Sequence, residues 1–105
     1  MVKLKVWNSV DSVYDYHIVE VKDKFLDVLK TLDVPDDFPN TSSAEIAEAI
    51  NLPGRKAAGI IGSMQYYKLL KFVGYCGRYP LYRITDLGRE NLERLKGNLG
   101  AGKVE

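Results

Sequence analysis

The chain has 105 residues, a formal net charge of +1 and 46% hydrophobic residues, which is the size and composition of one globular domain. No apolar run approaches the ~20 residues that a membrane-spanning helix needs, and lysines interrupt the first residues where a secretory signal would be apolar. We therefore expect a cytoplasmic protein with no membrane contact. The single cysteine excludes an internal disulfide bond, which fits a reducing compartment.

Charge is divided unevenly along the chain. Residues 1–49 carry five lysines and ten acidic residues, a net charge of −5, whereas residues 50–105 carry ten basic and four acidic residues, a net charge of +6. Between Pro53 and Arg89 the only acidic residue is Asp86. Such a division suits a protein that presents one basic face to a polyanion.

The first third of the chain combines a strand pattern with a helix pattern. Residues 2–6 alternate apolar and basic side chains, which predicts a short strand with one buried face. Residues 11–21 fit either a strand with two tyrosines on one face or the start of a helix, because apolar residues also recur there every three or four positions. Helix formers dominate residues 20–32, so a helix is predicted over that range.

Two helices joined by a tight turn are predicted in the middle of the chain. Ser42 and Glu45 have the spacing of a capping box, in which the serine oxygen and the glutamate carboxylate each accept a free amide at the helix start. A short helix should therefore run over residues 44–50. An Asn-Leu-Pro-Gly sequence then predicts a turn, and the apolar spacing that follows predicts a second helix over residues 55–70.

A hairpin and a last helix complete the predicted elements. The hairpin covers residues 72–84, with its turn at 76–80. Thr85 is expected to cap a helix over 86–96. Residues 97–105 are rich in glycine and have no clear pattern, which predicts a flexible tail.

This order of elements resembles the winged helix-turn-helix transcription regulators of bacteria and archaea, such as the MarR-, PadR- and ArsR-like groups. The resemblance is carried by SSAEIAEAINLP at residues 42–53 and LYRITDLGRENL at residues 81–92. It implies a winged helix-turn-helix fold that is mainly α with a small β-hairpin, in a single domain over residues 1–96. It also implies sequence-specific binding of double-stranded DNA by a transcription regulator.

In such regulators the second helix of the motif lies in the major groove and the wing contacts the backbone or the minor groove. The resemblance thus assigns base reading to the middle of helix 55–70 and a backbone or minor-groove contact to the turn 76–80. The basic side chains would dock electrostatically on phosphates. The expected DNA-binding residues are Arg55, Lys56, Ser63, Gln65, Tyr66, Lys68, Lys71, Arg78, Tyr79 and Arg83.

Two features of helix 55–70 have more than one interpretation. Counting from Leu52 places Ala57 and Ile61 inward, whereas counting back from Val73 places Ile60 and Met64 inward. The glycines at positions 59 and 62 either let DNA approach the helix backbone closely or serve close packing between helices. The tyrosines around them fit packing against the protein as well as contact with DNA.

Other functions have weaker support in the sequence. His17 is the only histidine and has no metal-ligand spacing around it, and no catalytic motif is present, so we expect no cofactor, no metal and no enzymatic activity. A homodimer is expected, because regulators of this kind commonly bind two half-sites. The alternative is a winged-helix protein-interaction module, which an exposed apolar patch over Ile60, Ile61, Met64 and Tyr67 would favour.

Overall fold

The structure is a computed structural model that describes the backbone of residues 1–104 and the side chains of residues 1–96. Five strands and four helices occur in it. Within this described part, no helix is both long and apolar enough to cross a bilayer. In chain order the elements are β1 (Val2–Val10), β2 (Val13–Val21), α1 (Asp23–Leu32), β3 (Thr41–Ser42), α2 (Ser43–Ala49), α3 (Gly54–Tyr66), β4 (Leu70–Cys76), β5 (Tyr79–Ile84) and α4 (Asp86–Val104).

The N-terminal segment forms a long antiparallel hairpin. Strands β1 and β2 pair over their whole length, and Asp11 and Ser12 at the turn have φ angles of 53° and 67°, as a type I′ turn requires. The helix predicted over residues 20–32, whose start the sequence leaves open, begins at Asp23, because residues 20 and 21 belong to β2. Pairing with β1 and burial of Val21 outweigh the helical spacing there.

The core lies between the N-terminal hairpin and the helices. It draws buried side chains from all four helices and from β1, β2, β4 and β5, among them Leu4, Leu29, Ile46, Met64, Leu70 and Leu92. The prediction of a mainly α fold holds loosely, because two hairpins accompany the four helices.

Helices α2 and α3 form the predicted helix-turn-helix. The capping box is confirmed, since the Glu45 amide donates to the Ser42 hydroxyl at 3.2 Å and the Ser42 amide donates to the Glu45 carboxylate at 3.3 Å. Helix α2 ends in a Schellman motif: Asn51 has a φ of 57°, and the Leu52 amide donates to the Ala47 carbonyl.

Helix α3 ends at Tyr66, four residues before its predicted end. The residue Lys68 has a φ of 65°, and the Leu69 amide donates to the Met64 carbonyl at 2.9 Å, which is again a Schellman motif. Burial of both Leu69 and Met64 supplies the apolar contact of that motif. The buried residues of α3 are Ala57 and Ile61, which the count from Leu52 places inward, and Met64, which the count from Val73 places inward.

The wing is a three-stranded sheet in the order β3-β5-β4. Its tip is a two-residue turn, Gly77-Arg78, with a φ of 60° at the glycine, so the predicted turn at 76–80 is too long and Tyr79 already belongs to β5. Strand β3 was not predicted. It is only two residues long, so its sequence carries no strand periodicity.

Thr85 caps the last helix as predicted, because its hydroxyl accepts the Gly88 amide at 3.1 Å. The backbone of α4 continues to Val104, beyond the predicted end at residue 96. The glycines there lower helix stability by only about 1 kcal/mol each and need not end a helix. The side chains of the predicted flexible tail, residues 97–105, lie outside the described residues.

Candidate nucleic-acid interface

Helix α3 presents a continuous stripe to solvent on the side opposite its buried residues. At 100° per residue, Arg55, Gly59, Gly62 and Tyr66 fall within a sector of about 60° that faces away from the core. All four are exposed, and the Tyr66 side chain is 56% exposed. We call these four residues the outward stripe. It is a solvent-facing surface that is bulky at its ends and flat in its middle.

The two glycines of the outward stripe have no packing role within the described part of the chain. A Cβ atom built on Gly59 or Gly62 would meet nothing within 4 Å. Packing against another helix within the described part of the chain therefore does not explain these glycines. By contrast, a Cβ on Gly88 would lie 2.7 Å from Cγ1 of Ile84, so that glycine is required by packing.

Positive charge gathers around the outward stripe without acidic neighbours in the sequence. No acidic residue occurs between Glu48 and Asp86, so α3 and the wing carry only basic charges. Arg55 and Lys56 are exposed in the first turn of α3, where Pro53 provides no side-chain cap for the free amides. Amides and positive charge at a helix start both favour phosphate groups.

The wing adds one cation at its tip. The Arg78 guanidinium lies over the Tyr79 ring, 5.4 Å from its centroid, and both residues are exposed. Tyr75 is 69% exposed on β4, and its ring contacts the Phe72 ring edge-on at 5.0 Å between centroids. Tyr82 does pack within the protein, and burial together with the nearby Tyr75 hydroxyl raises the pKa of Tyr82 above 10.0.

Two of the predicted cations lie at the base of the wing. Lys71 and Arg83 are cross-strand partners about five to six residues from the tip, which is roughly 17–20 Å along the hairpin. The Arg83 guanidinium donates to the Asn40 side chain and to the Phe38 carbonyl, so it fixes the loop before β3. These long-range bonds give Arg83 a structural role that its sequence surroundings do not reveal.

The predicted base-reading residues do not share one face. Ser63 and Gln65 are both exposed, but they lie about 160° apart around α3. Ser63 lines the groove between α3 and the start of α1 together with Lys56 and Ile60, whereas Gln65 lies on the opposite flank. Lys68 is exposed in the connection that leads from α3 to the wing. If α3 lay in a DNA groove, one orientation would bring either the Ser63 flank or the Gln65 flank close to base edges, and not both.

The apolar patch that would favour a protein-interaction module is not present on α3. Ile61 and Met64 are at most 2% exposed, and Ile60 and Tyr67 are partly buried. The exposed surface of this helix is instead polar, basic and glycine-containing.

Comparison with known proteins places the fold. No protein-family model matches the chain, and no curated protein matches it. Among solved structures, the chain is similar to the PcaV transcriptional regulator from Streptomyces coelicolor, crystallised with its natural ligand, at a TM-score of 0.62 and 23% identity. The match covers 78% of this chain and 57% of PcaV. The chain is also similar to MepR of S. aureus in a DNA complex, at a TM-score of 0.56 and 17% identity, over 80% of this chain and 79% of MepR.

These similarities establish a winged-helix fold. Both identities are low, so the likeness concerns the fold. The chain spans little more than half the length of PcaV.

Proposed function

We propose that this protein binds double-stranded DNA as a transcription regulator, with α3 in the major groove and the Gly77-Arg78 turn on the backbone or the minor groove. The observation that carries the proposal is the outward stripe of α3, which has no partner within the described chain and no acidic residue near it in sequence. A major groove admits an α-helix, and glycines at the centre of the contact face let the two backbones approach closely. The DNA complex of the structurally similar MepR supports this mode of action.

Electrostatic attraction between basic side chains and DNA phosphates initiates docking. Arg55 and Lys56 flank the groove from the start of α3, Lys68 follows its end, and Arg78 reaches out from the wing. None of these four cations takes part in an ion pair among the described residues. They are therefore free to meet phosphates, and each phosphate neutralised releases counterions and adds to the salt dependence of binding.

Sequence reading is assigned to the exposed polar side chains of α3. Tyr66 lies on the outward stripe, whereas Ser63 and Gln65 occupy its two flanks. Glutamine can form paired hydrogen bonds with adenine, and serine can bond to several base edges or to phosphate. We expect alanine at the flank that faces the bases to reduce discrimination between a selected site and a random duplex. Alanine at the other flank should change binding to both duplexes equally.

A matched pair of lysine variants tests the docking role. Lys56→Gln should lower affinity for a random duplex and reduce the slope of log K against log salt by about one. Lys30→Gln removes an exposed lysine of α1, which lies outside α3 and the wing, and should leave the slope near the wild-type value. Equal slopes for both variants and the wild type would contradict the proposed interface.

A further inference from the structure

The N-terminal hairpin has one edge that is bonded to the rest of the domain at several backbone groups. The Lys5 amide and carbonyl are both held by the Asn91 side chain at 2.7 Å, and the Lys3 carbonyl accepts from Arg94 at 2.9 Å. The Trp7 amide donates to the Tyr67 carbonyl at 3.0 Å. The backbone groups of these odd-numbered residues of β1 therefore point away from β2, toward the rest of the domain.

The β1–β2 register determines which backbone groups point outward at the free edge of β2. Lys5 lies opposite Ile18 and Trp7 lies opposite Tyr16, so these are the pairs of an antiparallel ladder that do not bond to each other. The amides and carbonyls of Tyr14, Tyr16 and Ile18 must consequently point outward from β2. Among the described residues no backbone group of another element bonds to them, and the Tyr16 amide meets only the carboxylate of Asp15 at 2.7 Å.

This open edge is also unusually apolar. The side chains of Tyr14, Tyr16 and Ile18 are 61%, 52% and 57% exposed, and Trp7 packs against both tyrosine rings on the same face. Edge strands that remain unpaired are usually short, charged or interrupted by proline, because a long apolar edge invites another strand. Strand β2 has nine residues and no proline.

We propose that the outer edge of β2 pairs antiparallel with the same edge of a second copy of this chain, forming a two-fold symmetric dimer with a four-stranded sheet. A two-fold axis at Tyr16 sets Tyr14 of each copy opposite Ile18 of the other and brings both Tyr16 residues together. On the opposite face it sets Asp15 against His17, which is an acid opposite a group able to carry positive charge.

Registers with the axis one residue away are less complementary. An axis at His17 places His17 opposite itself and Tyr14 opposite Glu20, and an axis at Asp15 places two carboxylates opposite each other. Like groups directly opposite each other destabilise a ladder, whereas aromatic and β-branched pairs stabilise it. Self-complementarity of β2 in the first register therefore identifies a second copy as the occupant. The proposal does not depend on DNA binding.

The first test is the mass of the DNA-free protein by sedimentation equilibrium at micromolar concentrations. The wild type should be a dimer. Tyr16→Lys places two like charges at the axis and should shift the chain to monomer, raising the dissociation constant at least about tenfold. The matched control Tyr75→Lys changes an equally exposed tyrosine on the wing and should leave the dimer intact. A monomeric wild type, or a Tyr16→Lys variant as dimeric as the control, would overturn the proposal.

A charge exchange tests the register without relying on one variant. His17→Glu sets two carboxylates opposite one another and should weaken the dimer about tenfold or more, whereas Asp15→Lys only removes the acid opposite His17 and should weaken it less. The double variant D15K/H17E restores opposite charges and should recover most of the wild-type dimer. Additive weakening in the double variant would refute the Tyr16-centred pairing. Circular dichroism of each variant reports whether the monomer remains folded.

Discussion

Replacing Gly59 and Gly62 separates the stability of the protein from its proposed activity. A Cβ at either position meets nothing within 4 Å, so alanine introduces no clash. In a helix interior alanine is more stable than glycine by about 0.5–1 kcal/mol, because glycine loses more backbone freedom on folding. The double alanine variant should therefore gain about 1–2 kcal/mol in free energy of unfolding, which raises the melting temperature by roughly 5–15 °C.

The same positions should tolerate no bulk when DNA is bound. Gly59→Gln and Gly62→Gln add a neutral helix-forming side chain at the centre of the outward stripe, where the proposed groove contact is closest. We expect each to keep or raise stability and to weaken duplex binding at least about tenfold, the loss of roughly 1.4 kcal/mol. Lys30→Gln is the control, because it places the same side chain on an exposed position of α1.

Two assays on the same samples decide the matter. Urea unfolding followed by circular dichroism gives the change in stability, and fluorescence anisotropy with a labelled duplex gives the change in affinity. Destabilisation by alanine would contradict the absence of neighbouring atoms within 4 Å of a Cβ at these glycines. Wild-type affinity in both glutamine variants would refute their place in the DNA contact.

Three further predictions concern the scaffold. Gly88→Ala should destabilise the fold by about 1–3 kcal/mol in urea unfolding, because its Cβ would lie 2.7 Å from Cγ1 of Ile84, and wild-type stability would contradict that contact. Asn91→Ala should cost about 1–3 kcal/mol for each Lys5 backbone group left unpaired, and a loss under 0.5 kcal/mol would speak against the two bonds. Burial raises the pKa of Tyr82, so its contribution to stability should be fully present below about pH 10 and be lost as the pH rises through the raised pKa, a loss that Tyr82→Phe should remove in urea unfolding.

Local signals in the sequence were enough to place the helix-turn-helix. The capping box at Ser42 and the turn near Asn51 act within a few residues, so their chemistry is readable without tertiary context. The end of α3 was missed because a lysine at a positive φ has no sequence signature. Lys68 adopts that conformation because burial of Leu69 under Met64 requires it.

Long-range pairing explains the other differences. Strand β2 looked partly helical because its apolar residues satisfy both periods, and only its pairing with β1 decides between them. Similarly, the sequence places Arg83 with the DNA-binding cations. Its bonds to Asn40 and Phe38 span more than 40 positions, so no local pattern reveals them. Charge segregation is readable from the sequence, whereas the exposed positions of α3 and the division of Ser63 and Gln65 between two flanks require the buried face to be known.

The most direct test of DNA binding is fluorescence anisotropy of the wild-type protein with a random duplex at several salt concentrations. The account predicts binding at low salt that weakens steeply as salt rises, with a slope that reflects the several phosphates met by α3 and the wing. If the duplex remained unbound even at low salt while circular dichroism showed the protein to be folded, DNA binding would be contradicted.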